Sequence, residues 1–344
     1  VTDDAANGMR ADAVRSGLQD LKIRACPFNA NRQLATSIAE PKAHQQHRQL
    51  SSNHMNCRAS RFTFLTSLTI SVFVLVSCNG TAIARQEKKM SYDHKQQVVE
   101  LLKSIETGDK KPVDYINSSK YIQHNLAMSD GLTGFGAALQ QLPKSGAKVN
   151  TVRVFQEGEY VFAHTEYDFF GPKIGFDIFR FENGKIVEHW DNLQQTPNSP
   201  NQSMRTMTDG PTIVRDIDKT QANKELVRQF VDDILVNGRM DKLAGYFDGD
   251  KYIQHNPQIG DGLSGLGAAM QVMAKQGVTM KYDRTHRLLA EGNFVLAASE
   301  GSLSGQATSF YDLFRVEDGK IAEHWDTIET ISPRSDWKND NGKF

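Results

Sequence analysis

Three short stretches of this chain hold the side chains best suited to moving protons, and each occurs twice. Tyr121-Ile122-Gln123-His124-Asn125 returns as Tyr252-Ile253-Gln254-His255-Asn256. Asp177-Ile178-Phe179-Arg180 returns as Asp312-Leu313-Phe314-Arg315, and Glu188-His189-Trp190-Asp191 as Glu323-His324-Trp325-Asp326. A carboxyl or imidazole set among aromatic and aliphatic neighbours is poorly solvated, which moves its pKa towards neutrality. Proton abstraction beside a carbonyl needs such a base, together with a donor for the developing enolate oxygen. Asp177 or Asp191 is the candidate base, with Asp312 or Asp326 in the second set. His124, His164, His255 and the indoles of Trp190 and Trp325 are candidate donors or platforms, and Asn125 and Asn256 candidate substrate contacts.

Strand alternation sorts these residues into faces. His189 and Asp191 point one way with Val187 and Leu193, while Glu188 and Trp190 point the other. Phe162, His164 and Glu166 share a face, as do Asp177, Phe179 and Phe181. One sequence does not say which face is concave. Plainer readings compete. Asp177 with Arg180, and Asp312 with Arg315, could be surface ion pairs, although residues three apart on a strand face opposite ways. Trp190 and Trp325 suit a core, and His124 and His255 suit backbone groups where a strand ends. Asp130-Gly131 and Asp261-Gly262 read as a turn with a helix cap. A metal set of His124, His164, His189 and Asp191 lacks tight ligand spacing, so no metal is expected.

The repeat sets the architecture. The His-Asn motif recurs 131 residues on and the two acidic motifs 135 residues on, so the second copy has gained four residues in loops. A period that long is a duplicated domain rather than a solenoid. The copies span 91–196 and 218–331, joined by a Pro/Asn/Ser linker over 197–217 and followed by a tail over 332–344. Helical spacing of apolar residues predicts helices over 92–106 and 219–236, the second opened by a capping pair, Asp218 and Gln221. A further helix follows each Asp-Gly pair. Glu157-Gly158, Asn183-Gly184, Glu291-Gly292 and Asp318-Gly319 then separate alternating runs, the pattern of an antiparallel meander. Helices first and strands after give an α+β fold with helices on one sheet face.

Composition narrows the function. Among 344 residues, Lys plus Arg number 40 against 41 for Asp plus Glu, leaving no basic field for nucleic acid. Cys26, Cys57 and Cys78 all precede the repeats, so the repeated part holds no disulfide framework, thiolate zinc site or catalytic cysteine. Residues 1–54 are polar and unpatterned. From Met55, a short positive stretch with Arg58 and Arg61 precedes an uncharged apolar run, Phe62 to Val76, too short to span a bilayer but suited to a signal peptide over 55–77. Leu75-Val76-Ser77-Cys78 has the form of a lipobox, making Cys78 the lipidated first residue of a tether over 78–90; Ala82-Ile83-Ala84 offers an ordinary signal-peptidase site instead. Behind such a signal, residues 1–54 read as an upstream extension with no exported role. Export to the bacterial periplasm follows, with the membrane reached only through the lipid anchor.

In order and spacing, the His-Asn, Asp-Gly-Leu, Asp-Ile-Phe-Arg and Glu-His-Trp-Asp motifs of both copies resemble the SnoaL-like polyketide cyclases, most closely their aldol-condensation branch, within the nuclear transport factor 2-like superfamily. The resemblance implies two tandem cone-shaped α+β domains, each a curved antiparallel sheet packed on helices around a deep pocket. It also implies cofactor-free acid/base chemistry on a small hydrophobic carbonyl compound, and association through the sheets, here as an intrachain pseudo-dimer or homo-oligomer. His164 aligns with Ala298, so the second copy lacks a polar group the family usually keeps, and the first copy is expected to hold the fuller acid/base set. Leu126 stands where the second copy has Pro257, as the family usually does. The expected function is an exported aldol-type cyclase or isomerase; a non-catalytic small-molecule-binding protein of the envelope is the alternative.

Overall fold

The computed structural model describes residues 94–143 and 146–344. The expected signal peptide, the lipidation at Cys78 and the upstream extension lie outside the described residues.

The first half opens with helix α1 (94–107), whose Val98, Leu101 and Leu102 recur at helical spacing and are buried. A 3-10 turn, Lys111–Tyr115, leads to the two-residue strand β1 (Ile122–Gln123) and helix α2 (Gly131–Gln140). Four long strands follow: β2 (Lys148–Glu157), β3 (Tyr160–Asp168), β4 (Pro172–Glu182) and β5 (Lys185–Gln195). The second half repeats the plan. Helix α3 (Thr220–Phe230) runs into a π-helical turn (Val231–Val236), then β6 (Ile253–Gln254), α4 (Gly262–Gln276), β7 (Met280–Glu291), β8 (Phe294–Leu303), β9 (Gln306–Glu317) and β10 (Lys320–Thr330). The α+β class and the doubled architecture are as expected.

The sheets run β1-β5-β4-β3-β2 and β6-β10-β9-β8-β7. The long strands form antiparallel meanders, but β1 and β6 pair in parallel with β5 and β10, so neither sheet is purely antiparallel. Asn183-Gly184 and Asp318-Gly319 make tight turns with both residues at positive φ (51° and 73°, 50° and 70°), the I′ geometry that matches strand twist. Two expected caps are not formed. Helix α3 follows a 3-10 turn with Lys219 at its N-cap, and neither Asp218 nor Gln221 bonds its first turn. Asp130 and Asp261 have the right backbone for a cap, yet their Oδ1 atoms accept the amides of Gln123 (2.8 Å) and Gln254 (3.0 Å), tying down β1 and β6 instead.

Each sheet is covered on both faces, which is why Val161–Thr165 and Phe294–Ser299 are buried without alternation. One face packs on that half's helices. The opposite faces of the two sheets pack on each other through Phe155, Phe162, Ile178 and Trp190 from the first half and Leu289, Phe294, Leu313 and Trp325 from the second. Bonds across this interface are reciprocal. Leu193 N donates to Glu329 Oε2 and Ile328 N to Gln194 Oε1, both at 2.8 Å.

The segments following each half cross over. Asn201, in the linker, donates through its amide to the carbonyls of Gln254, Asn256 and Ile259 in the second half. Asn339, in the tail, does the same to Asn125 and Met128 in the first. Each half is therefore strapped by the chain that leaves the other.

Candidate functional site

Between each sheet and its helices lies a cavity, ≈ 440 Å³ in the first half and ≈ 340 Å³ in the second. The walls are apolar, from residues such as Leu101, Phe135 and Phe179 in one and Phe230, Met270 and Phe314 in the other. A wider groove of ≈ 530 Å³ runs along the outer edge of the first half, lined by Lys103, Lys148 and Lys173 among others; the buried ionisable groups do not open into it apart from Tyr167.

Antiparallel register places Asp177 directly opposite Asp191, and Asp312 opposite Asp326. His189 and His324 share the face of Asp191 and Asp326 two residues earlier on the same strand, so each cavity floor carries two carboxyls and one imidazole, all buried. His189 Nε2 lies 3.2 Å from Asp177 Oδ1, and His324 Nε2 3.0 Å from Asp312 Oδ1.

The other ring nitrogen fixes the protonation pattern. His324 Nδ1 is 3.0 Å from Gln254 Oε1, and that atom also accepts the backbone N–H of Asn256 at 2.9 Å. A group that accepts an amide N–H is an oxygen, so Nδ1 must be the donor. In a neutral ring the Nε2 lone pair would then face a carboxylate oxygen, which repels. A proton must therefore sit between His324 and Asp312, on one or the other. The first half repeats the arrangement: His189 Nδ1 donates to Gln123 Oε1 (2.9 Å), which accepts Asn125 N (3.0 Å). The repeated glutamine is thus a tautomer clamp.

Burial and charge tune these groups in opposing directions. Burial pushes the Asp326 carboxyl up to about 6, against the lowering effect of the His324 charge; the Asp312 charge adds to the rise and the 2.6 Å bond from Asn256 Nδ2 opposes it. Burial disfavours a charged His324, but the Asp312 hydrogen bond and the charges of Asp326 and Asp312 outweigh it and raise its pKa. Burial likewise raises Asp177, opposed by its bond to His189. Tyr282 and Tyr167, raised well above the phenol range chiefly by burial, remain O–H donors to Asp312 (3.3 Å) and Asp177 (2.8 Å).

The halves differ in one ion pair, Lys343 with Glu329 beside the first floor, where the second has Met207 and Gln194. Both His124 and His255 reach a strap carbonyl, Gly342 O and Thr206 O. The next residue is Lys343 in the first case and Met207 in the second. Lys343 Nζ, almost wholly buried, sits 2.8 Å from Glu329 and 3.7 Å from Asp191 Oδ1. Asp191 Oδ1 and Asp326 Oδ1 are both buried with no hydrogen-bond partner, so the difference is the ammonium near the first and none near the second.

Of the residues singled out from sequence, Asp177, Asp191, Asp312, Asp326, Asn125 and Asn256 line the cavities. His124, His164, His255, Trp190 and Trp325 do not; they lie on the opposite sheet faces. His124 stacks on Trp190 and pairs with Glu188 (2.9 Å), and His255 stacks on Trp325 and pairs with Glu323 (2.8 Å). His164 contacts Arg153 and Phe176 between the sheets. These five are corrected from donors and platforms to packing residues of the interface, and the reason for expecting a fuller set in the first half goes with them. Arg180 and Arg315 pair with Glu188 and Glu323 rather than with the motif aspartates. The metal set with His124 and His164 is not assembled. Asp177-His189-Asp191 and Asp312-His324-Asp326 do bring ligand atoms within 4.8 Å, though Asp191 and Asp326 each bond an asparagine and the histidines face the proton described above. His189, given a role only in the dismissed metal set, and His324 were not chosen as site residues, and Gln123, Gln254, Tyr167, Tyr282 and Lys343 were not singled out.

Residues 227–324 match the family model of the SnoaL-like domain. No curated protein matches the chain. Among solved structures, the chain is similar to TsrD from Streptomyces laurentii (20% identity, 30% of this chain and 89% of that one, TM-score 0.27). It is similar to an LEH-like epoxide hydrolase of M. tuberculosis (24%, 32% and 85%, TM-score 0.26) and to an NTF2-like protein from Burkholderia xenovorans LB400 (22%, 32% and 92%, TM-score 0.26). The segment that the SnoaL-like family model matches, 227–324, contains the end of α3 from Val227, all of α4, β6 to β9 and the start of β10, and it encloses the Asp312-His324 pair itself.

Proposed function

We propose that the cavities are proton-transfer sites for a small apolar carbonyl compound, of the aldol-type cyclase or isomerase class, and that the second is the better equipped. The observation that carries this is the glutamine-clamped histidine, which holds a proton against one buried carboxyl beside a second carboxyl that no lysine approaches. Asp326, ionised at neutral pH, takes the α-hydrogen; the C–H electron pair moves to the carbonyl oxygen, which takes the proton held between His324 and Asp312. Tyr282 steadies Asp312, and Asn256 steadies Asp326. The reverse transfers restore the site, so no redox partner is required. In the first half Lys343 competes for Asp191, which favours binding over proton abstraction there. The apolar run before Cys78 supports export, with Cys78 as the lipidated residue and the membrane reached only through that anchor.

The test is deuterium wash-in at the α-carbons of 2-tetralone in D2O, with chelator present. Exchange above the buffer rate that survives chelation, is lost in Asp326→Asn and persists in Asp191→Asn is the expected result. Binding of the ketone without exchange would leave a carrier protein, and loss on chelation would assign the same floor to a metal.

A further inference from the structure

Methionine is concentrated at the mouth of the second cavity. Met240 opens the 3-10 turn Met240–Tyr246, Met270 and Met273 lie on α4, and Met280 opens β7, so three elements bring thioethers to one rim. Among the described residues the first cavity is lined by a single methionine, Met128. Methionine ordinarily fills gaps in a core, yet Met240, Met270 and Met280 are 40%, 44% and 41% exposed. Met273 is half-buried.

The twin half shows that the fold does not need sulfur there. At the 131-residue offset Met270 and Met273 align with Leu139 and Leu142, which line the first cavity in their place. Leucine and methionine exchange at little cost to packing. What the thioether adds is that it can be oxidised. Access is open as well. Gly262 is the only buried residue of α4, whereas α2 is anchored by buried Phe135, edge-on to Tyr121 with ring centroids 6.5 Å apart. Leu266 stands where α2 has Phe135 and is only half-buried. The ties of α4 are at its first turn, where Gly262 N donates to Tyr252 O (2.6 Å) and Ser264 N to Asp250 Oδ1 (2.8 Å), so its methionine-bearing end faces solvent.

We infer that Met240, Met270, Met273 and Met280 form a modification site for peroxides, and that their oxidation closes the second cavity to apolar ligands while the first stays open. The sulfur lone pair attacks one oxygen of hydrogen peroxide, and the S–O bond forms as the O–O bond breaks. The proton on the transferred oxygen passes to the departing hydroxide, which leaves as water. Sulfur loses two electrons and the peroxide gains them. Each sulfoxide oxygen is a strong acceptor set among Leu235, Leu266 and Val278, which offer it no side-chain donor. An apolar ligand entering past it strips its water, so binding weakens although the floor is untouched. The inference rests on the proposed ligand binding in the second cavity, and not on proton transfer there.

Histidine-ring NMR of the full chain reads the two cavities separately, because His189 and His324 lie on different floors. 2-Tetralone is titrated before and after treatment with hydrogen peroxide, and peptide mass spectrometry locates the added oxygens. Oxidation of the four methionines is expected to weaken binding read at His324 at least about tenfold, the scale of burying one polar group unpaired, and binding read at His189 by less than about twofold. The chain carrying Met240→Leu, Met270→Leu, Met273→Leu and Met280→Leu should bind the ketone as the unoxidised protein does and keep that binding through the treatment. Met204→Leu removes a linker methionine that is 75% exposed and lines neither cavity, and should protect nothing. Weaker binding in the leucine chain before oxidation would make the thioethers pliant packing and overturn the assignment. So would oxidised methionines with unchanged binding at His324, protection by Met204→Leu, equal losses at both rings, or no ketone shift at His324 from the start. A ketone that shifts His324 without exchanging its α-hydrogens fails the proton-transfer reading and leaves this one standing.

Discussion

Replacing Asp326 with asparagine should make the protein more stable at neutral pH while abolishing its chemistry. The side chain keeps its shape and its neighbour Asn256, but loses a buried charge. Burial lifts the carboxyl from 3.8 to about 6, a gap worth about 3 kcal/mol. The sign follows from linkage. Below pH 3.8 the carboxyl is protonated in both folded and unfolded chains and costs nothing. Between there and pH 6 the unfolded chain ionises while the folded one holds its proton, so the wild type loses stability as pH rises through that window. The asparagine variant has no such loss at this position. Some of the gain is returned because the carboxylate also attracts His324, so about 3 kcal/mol is a ceiling, or at most about 6–12 °C, the conversion for a cooperative unit of roughly 150–250 residues. Thermal melts of both proteins from pH 4 to pH 7 check this. The variant's Tm advantage should be near zero at the acid end and grow to a plateau above pH 6. An advantage that is flat with pH, or a variant less stable at pH 7, would refute the burial argument.

Gln254→Leu removes the acceptor that fixes His324 Nδ1. It should slow ketone exchange roughly 10- to 100-fold, the usual cost of losing an orienting partner, with little change in ketone affinity by titration. Asn201→Ala strands three carbonyls of the second half; a loss of about 2 kcal/mol is expected, with amide exchange faster in β6 than in β1. Lys343→Met leaves Glu329 and Asp191 without their buried cation; it should cost about 3 kcal/mol in chemical denaturation, most of it recovered by Glu329→Gln in the same chain.

The fold was readable because its signals are local. The duplicated motifs, the Asn-Gly and Asp-Gly turns and the apolar spacing of α1 and α3 each act within a few residues. The parallel strands β1 and β6 were not readable, since two residues carry no periodicity. Nor were the caps, because Asp130 and Asp261 had two backbone partners to choose from and took the more distant in sequence. For the site, alternation grouped His189 with Asp191 and Glu188 with Trp190 correctly, but covered sheets have two buried faces, and composition does not say which holds the cavity. That ambiguity displaced His124, His164, His255 and both interface tryptophans. The phenols were hidden differently. Tyr167 lies opposite Val149 on the neighbouring strand, while Tyr282 lies opposite Gly301. The two copies therefore deliver a phenol to the same carboxyl from opposite members of a strand pair, and an alignment of the repeats places neither against the other. Lys343 belongs to the half it does not touch in sequence, so no motif within the first copy could have announced it.

The claim on which the account turns is where the protons sit on His324. Nitrogen-15 NMR of the histidine rings in the full chain, near pH 7, reads this directly. The account predicts that Nδ1 is protonated, with Nε2 either protonated as well or hydrogen-bonded to a protonated Asp312, and that Gln254→Leu disturbs this pattern. A neutral ring with its only proton on Nε2 and a bare Nδ1 would contradict it.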